Sequence, residues 1–251
     1  MMDEFYIYLP SNGLFLKNNT ASNYTVKLDR EVSLNGMWEC GMKEIHYPHS
    51  WYTILKKDAK LRIKVEGDVF RTVYFPAGHY KSPDLLIHEI NNAIRQHLLN
   101  FSVREEAIML RYNNISHKCE INVVDNVQIG FRSPLSIILG IDLNYVRIST
   151  PFMAGRSMDM TGGVDSLYVY SDIVQTKLVG DVSVPLLRVA PITAAYGDIC
   201  HKEYTKPNYL PLAKQSFTTI EVYILDSAGR RISFEFGKTT VLLHFRRKHE
   251  S

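Results

Sequence analysis

SLYVYSDIVQTKLVGDVSVPLLRVAPI, running from Ser166 to Ile192, is the stretch whose periodicity decides the fold. Leu167, Val169 and Tyr170 open it as a strand, and Gly180-Asp181 supplies a turn. Val182, Val184 and Leu186 then resume the alternation of period two that turns one face of a strand toward a core. The segment predicts a pair of strands.

Upstream, Phe5-Tyr6-Ile7-Tyr8-Leu9 suits a pleated surface and Pro10-Ser11-Asn12-Gly13 breaks it. Lys17 to Asn23 reads as a loop. Tyr24, Val26 and Leu28 alternate with Thr25 and Lys27 in a second strand, and Asn35-Gly36 turns the chain. Trp38, Cys40 and Met42 form a third strand that runs into His46-Tyr47-Pro48-His49-Ser50-Trp51. That hexad reads as an aromatic corner, where Pro48 ends pairing and Trp51 packs over a sandwich edge. Leu61, Ile63 and Val65, then Gly67-Asp68 and Val69 to Phe75, predict two more strands.

One convincing helix follows. Ser82 is its N-cap, Pro83 takes the first helical position, and Asp84 faces the positive end of the dipole. Leu86, Ile87, Ile90, Ile94 and Leu98 share one face that covers a sheet, whereas His88 and His97 fall on the exposed face. Ile108 to Tyr112, Lys118 to Val124 and Val127 to Phe131 read as successive short strands, turned by Asn113-Asn114 and Asp125-Asn126. Pro134 to Leu139 predicts a buried single turn capped by Gly140. Met153 to Gly163 and Ile192 to Leu210 read as loops, the second long enough for an interaction surface. At the end, Ile220, Val222 and Ile224, then Ile232, Phe234 and Phe236, then Val241, Leu243 and Phe245 predict two hairpin-linked pairings.

Roughly ten short strands and one helix predict a mainly β chain, an antiparallel β-sandwich with the helix in a crossover, and argue against a doubly wound sheet. The 251 residues fit one large all-β domain or two small ones. Roughly Pro76 to Tyr145 forms an α+β elaboration, either a separate lobe or part of the same core.

Three cysteines, Cys40, Cys119 and Cys200, give no short-spaced pair, which argues against a disulfide framework and a zinc site and for a reducing compartment. No leader and no membrane-length apolar run is evident, so a soluble protein without membrane contact is expected. A net charge of +3 is too mild for a nucleic-acid-binding domain. The cationic end, Arg246, Arg247, Lys248 and His249, reads as a solvated terminus that blocks further strand pairing, with a weak contact to DNA or an acidic partner as the sharper alternative.

No phosphate-binding glycine loop and no nucleophile elbow is present. His46 and His49 tempt toward a metal, but residues three apart on a strand face opposite ways and no further ligands are evident nearby. Asp172 and Asp181 sit near strand ends, where an Asx turn or a salt link, with Arg188 for example, outweighs acid/base chemistry. The sequons at Asn18, Asn23, Asn100 and Asn114 carry little weight. No cofactor and no catalytic residue is expected. Fifteen tyrosines, among them Tyr6, Tyr8, Tyr168, Tyr170 and Tyr223, fit either ordinary strand propensity or outward faces covered by neighbouring subunits.

Tyr168 to Ile173, Val179-Gly180-Asp181 and Pro185 to Arg188 resemble, nearly letter for letter, the Tyr-Val-Tyr-x-Asp-Ile, Val-Gly-Asp and Pro-Leu-Leu-Arg signature of the minor capsid (penton) proteins of Maverick/Polinton elements and their adintovirus relatives. The resemblance extends to Phe5–Ser11, Gly36–Glu39 with Trp38, and Ile45–Trp51 with Pro48. It continues through Gly78 with Tyr80, Leu139-Gly140, Phe234–Gly237 and His244–Lys248. Ser171 stands where many members carry a cysteine, a change conservative in size.

The resemblance implies a single jelly-roll structural virion protein and not an enzyme. Five copies would close around each icosahedral vertex and contact the double-jelly-roll major capsid protein, and the basic end would touch packaged DNA weakly. The protein would be made in the host cytoplasm or nucleus. It assigns Trp38, Pro48, Trp51, Gly78, Tyr80, Tyr168, Tyr170, Asp172, Gly180, Asp181, Pro185 and Arg188 to structure or interface without distinguishing the two. The alternatives are a lectin-like or spike β-sandwich that binds a host ligand, and, more remotely, an enzyme using His46 or His49.

Overall fold

The computed structural model describes residues 3–13, 18–101, 103–124, 126–141 and 145–248; His249 of the basic end, Lys17 and Asp125 lie outside them. The described residues form eighteen strands and two helices. In chain order these are β1 (Glu4–Pro10), β2 (Asn23–Ser33), β3 (Trp38–Pro48), β4 (Lys60–Lys64), β5 (Arg71–Tyr74), α1 (Pro83–Leu98), β6 (Ile108–Asn113), β7 (Lys118–Val123), β8 (Gln128–Arg132) and α2 (Leu135–Ile138). They continue as β9 (Tyr145–Ile148), β10 (Phe152–Ser157), β11 (Ser166–Ser171), β12 (Lys177–Val179), β13 (Val182–Val184), β14 (Leu186–Pro191), β15 (Ile199–Glu203), β16 (Leu210–Pro211), β17 (Ser216–Leu225) and β18 (Thr240–Arg247). No helix among the described residues is long and apolar enough to cross a membrane.

The chain folds as two compact units, residues 1–51 with 164–251, and residues 52–163. In the first, one sheet runs β1-β18-β3-β15, with β16 pairing the start of β3, and the other runs β14-β11-β17-β2. Every pairing is antiparallel. Followed along the chain, the eight long strands alternate between the sheets except for β11 and β14, which are neighbours. That is the connectivity of a jelly roll.

Strand parity explains the sandwich. Leu167 and Val169 of β11, Ile220, Val222 and Ile224 of β17, and Val241, Leu243 and Phe245 of β18 are fully buried in one core. Each such side chain contributes about 1.5–3 kcal/mol by leaving water. In β3 a bulge resets the alternation. Leu243 pairs with Met42 but Leu242 pairs with Glu44, so Lys43 is an extra residue. Cys40 and Met42 point inward before it, Ile45 and Tyr47 after it, and Glu44 and His46 are left on the outer face.

The signature segment departs from its expected form. The turn at Gly180 (φ 62°) closes a separate small hairpin, β12 with β13, in which Leu178 and Val182 are exposed. The sheet partner of β11 is instead β14, with Leu167 opposite Ala190 and Val169 opposite Arg188. Two further expectations fail in this unit. Residues 199–203 are the edge strand β15 and not loop, whereas 232–236 form no strand. There Ile232 is buried as coil against the core and Phe234 meets Trp51 edge-on. Consequently β17 and β18 belong to opposite sheets and are not a hairpin.

In the second unit, sheets β10-β7-β6 and β5-β4-β8-β9 share one core with α1. Ser82 caps α1 by accepting from the Leu85 amide, and Leu86, Ile87, Ile90, Ile94 and Leu98 are the buried stripe. The Asn91 amide side chain clasps the backbone of Leu110, donating to its carbonyl at 2.8 Å and accepting from its N–H at 2.9 Å, which fixes α1 against β6. Single-turn α2 ends at Gly140 (φ 77°), as its sequence predicts. Residues 153–157, the start of the segment read as loop, belong to strand β10, which pairs with β7. β8 pairs with β4 and β9 and not with β7. These pairings draw β4 and β5 into the unit, which is why it is wider than Pro76–Tyr145. His97 is half-buried, its ring tilted against that of Phe101 at 5.3 Å, and not on an exposed face.

Candidate functional site

The outer face of the β1-β18-β3-β15 sheet carries two clusters of polar and aromatic side chains. Glu4, Tyr6 and Tyr8 alternate outward along β1, and Tyr6 and Tyr8 are 50% and 63% exposed on this edge strand. In the next strand His244 is buried beneath them, its ring stacked 4.4 Å from that of Tyr6. Nε2 of His244 lies 3.1 Å from the Glu4 carboxylate and Nδ1 lies 2.8 Å from the Tyr209 hydroxyl. A neutral ring satisfies both if Nε2–H donates to Glu4 and Nδ1 accepts from Tyr209. Burial raises the Tyr209 phenol, opposed by the Arg246 guanidinium lying 3.5 Å over its ring. Arg246 also donates to Glu39 at 2.6 Å.

Farther across the face, β15 pairs with β3 so that His201 lies directly opposite His46 and Glu203 opposite Glu44. The two imidazoles stack at 4.2 Å. Lys43, the bulge residue, pairs with Glu203 at 2.9 Å, and that bond holds the Glu203 carboxyl below the usual carboxylate range.

The residues singled out from sequence do not gather at one pocket. Trp38 donates to the Asn35 carbonyl and lies 5.6 Å from Phe5. Pro48 ends β3 against Gly237 (φ 83°), where a Cβ would come within 2.8 Å of the proline ring. Trp51 is buried between His49, at 4.2 Å, and Phe234. In the second unit Gly78 exchanges backbone hydrogen bonds with Ile54, and Tyr80, buried, donates to the Pro76 carbonyl, its phenol pushed up to about 12 by burial.

Tyr168 is half-buried on β11, whereas Tyr170 is 8% exposed and stacks on Tyr223 at 4.9 Å. Tyr170 therefore shares the outer face of the sheet with its cross-strand partner Tyr223, away from the core, and is covered there. Asp172 accepts from the Glu221 amide at 2.8 Å and from Lys214 at 2.5 Å. Arg188, the partner considered for it, instead lies 3.7 Å over the Tyr204 ring and donates to the Lys206 carbonyl. Gly180 and Asp181 form the β12-β13 turn, and the Pro185 carbonyl accepts from the Ser171 amide. Ser171 is buried and donates to the Glu221 carbonyl.

Little of this is set up for covalent chemistry. Cys40 and Cys119 are buried thiols, the first raised well above its ordinary value and the second pushed up to about 12, the opposite of an activated nucleophile. Sequence reasoning missed both outer-face clusters. His46 attracted attention beside His49, yet parity on a strand joins it to Glu44, two residues away, and its cross-strand neighbour His201 lies in a segment read as loop. The inward Cys200 between outward Ile199 and His201 was the available signal.

No protein-family model matches the sequence, and no curated protein matches it. Among solved structures the chain is similar to the crystal structure of the mavirus penton protein, with a TM-score of 0.51 at 13% sequence identity, over 97% of this chain and 98% of that one. At that identity the likeness is one of fold, and it is end to end.

Proposed function

We propose that this chain is a minor capsid protein, the penton subunit at the vertices of an icosahedral virion of the Maverick/Polinton and adintovirus kind. The observation that carries the reading is the end-to-end likeness to a penton protein, which takes in the jelly roll and the unit inserted between β3 and β11 alike. One jelly roll is half of what a double-jelly-roll major capsid protein requires. Five copies close a ring through two different, complementary patches on each copy. The open β1 edge with exposed Tyr6 and Tyr8 supplies the kind of aromatic surface such contacts favour. Each contact buries on the order of 1,000 Å² if the ring is stable outside the shell.

The major capsid protein is the second partner, and the site of action is the virion. The basic end adds little DNA contact, because Arg246 is engaged by Glu39 and Tyr209. The test is co-expression with the major capsid protein, followed by electron microscopy of the particles and light scattering on the purified chain. Density for this chain at the five-fold vertices is expected. A chain that stays monomeric alone and is absent from the vertices of assembled shells would refute the proposal, and a sugar-dependent rise in Tm would point instead to a ligand-binding module.

A further inference from the structure

We propose that Glu44, His46 and His201 form a binding site for one divalent transition-metal ion of the zinc class, on the outer face of the β3-β15 pair. Their ligand atoms, two imidazole nitrogens and a carboxylate oxygen, all lie within 4.8 Å of one another. The fold places them deliberately close. Antiparallel register sets His46 and His201 opposite each other, and the bulge at Lys43 puts Glu44 on the same outer face two residues before His46.

The donors converge without bonding to each other. Nε2 of His46 is 3.6 Å and Nε2 of His201 is 3.7 Å from the same oxygen, Oε2 of Glu44, beyond hydrogen-bond length in both cases. Bonds of about 2.0–2.2 Å to a tetrahedral ion set neighbouring donors about 3.3–3.5 Å apart, close to the observed separations, but the rings are stacked at 11° to each other, so metal binding must unstack them and turn both in-plane lone pairs toward one point. Glu203, the other acidic group on this face, is occupied by Lys43. Among the described residues no lysine or arginine pairs with Glu44, which leaves its charge to face the two imidazoles.

The donor set selects the ion. Imidazole nitrogens with one carboxylate suit zinc, cobalt, nickel or copper and not the oxygen-seeking calcium or magnesium. Three protein ligands leave a fourth position open to water or to a donor from outside the chain. With side chains 41% (His46), 22% (Glu44) and 52% (His201) exposed, the ion enters without opening the sheet. This inference stands on local geometry and holds whether or not the chain is a penton.

The test uses full-length protein without a polyhistidine tag, stripped with chelator and titrated calorimetrically with Zn²⁺, and with Co²⁺ followed by visible absorption. One ion per chain is expected, with cobalt bands of a four-coordinate site. Outer-shell changes around metal sites cost about 10–100-fold in affinity, so His46→Ala, His201→Ala and Glu44→Gln, each removing a ligand, should weaken binding by at least about a hundredfold. His88→Ala, on the exposed face of α1, should leave it unchanged, and circular dichroism confirms that each variant is folded. Absence of stoichiometric binding, or binding unaffected by His46→Ala and His201→Ala, overturns the proposal.

Discussion

Gly140 and Gly67 lie in the same unit at nearly the same backbone angle, φ 77° and 76°, and differ in what surrounds them. A Cβ on Gly67 would meet nothing within 4 Å, whereas one on Gly140 would sit 2.2 Å from the carbonyl oxygen of Arg156 and 3.0 Å from that of Ser157. Gly67→Ala therefore isolates the left-handed backbone penalty of about 1–2 kcal/mol, reduced by the stiffer unfolded chain by about 0.4–1 kcal/mol. Gly140→Ala carries the same penalty and must also push β10 away by roughly 1 Å, since ordinary non-bonded contacts are that much longer. The shift breaks the hydrogen bond from the Arg156 amide to the Gly140 carbonyl, about 1 kcal/mol, and loosens the packing of buried Ala154. The backbone and hydrogen-bond terms alone sum to about 1–2.6 kcal/mol, and the loosened packing adds to them, so the cost exceeds that of the reference substitution.

Both tryptophans, Trp38 and Trp51, belong to the other unit, so their fluorescence in a urea titration monitors that unit alone. Hydrogen exchange of residues 52–163 then reports the affected one. An early loss of protection in 52–163 with an unshifted fluorescence transition is expected for Gly140→Ala. If Gly140→Ala costs no more than Gly67→Ala, the steric argument is wrong.

Three other outcomes follow from the described contacts. Asp172→Ala removes the acceptor of the Glu221 amide and should cost about 1.5–3 kcal/mol, whereas Lys214→Ala, at the exposed end of the same pair, should cost less than about 1 kcal/mol in denaturant titrations. Cys40, Cys119 and Cys200 are all buried free thiols, so a thiol-reactive dye at mildly alkaline pH should label none in the native protein and all three in guanidinium; rapid native labelling would contradict the packing. Burial, with Arg71 nearby, holds His97 below the ordinary imidazole range. The unfolded chain then takes up the proton more readily, so stability is present above about pH 6.5 and is lost as pH falls through the lower folded value. A His97→Gln variant should show a flatter dependence of Tm on pH between about 7.5 and 5.5.

The sandwich and the helix were legible because burial writes a period into the sequence. α1 shows it from Leu86 to Leu98, and β17 from Ile220 to Ile224. What escaped was written in pairing, not in hydrophobicity. β15 is an edge strand with only Cys200 turned fully inward, and β10 contains Ala154 and Gly155, so neither carries enough apolar side chains to announce itself. The reverse error fell on Ile232, Phe234 and Phe236, whose alternation is real. There the period serves a coil that lays Ile232 on the core and Phe234 against Trp51. The outer-face clusters depend on which strands become neighbours and on one bulge residue, so Glu44, His46 and His201 could not be grouped before the topology was known.

The position of β18 between β1 and β3 has a consequence for the order of events on the ribosome. Residues 4–10 and 38–48 are translated early, yet each pairs with a strand that emerges roughly 190 to 240 positions later, so their sheet has an empty middle row for most of synthesis. Residues 52–163 need nothing from downstream to fill their own core. The inserted unit can therefore complete its structure while the surrounding one waits, holding two unpaired strand edges that a nascent-chain chaperone would have to shield.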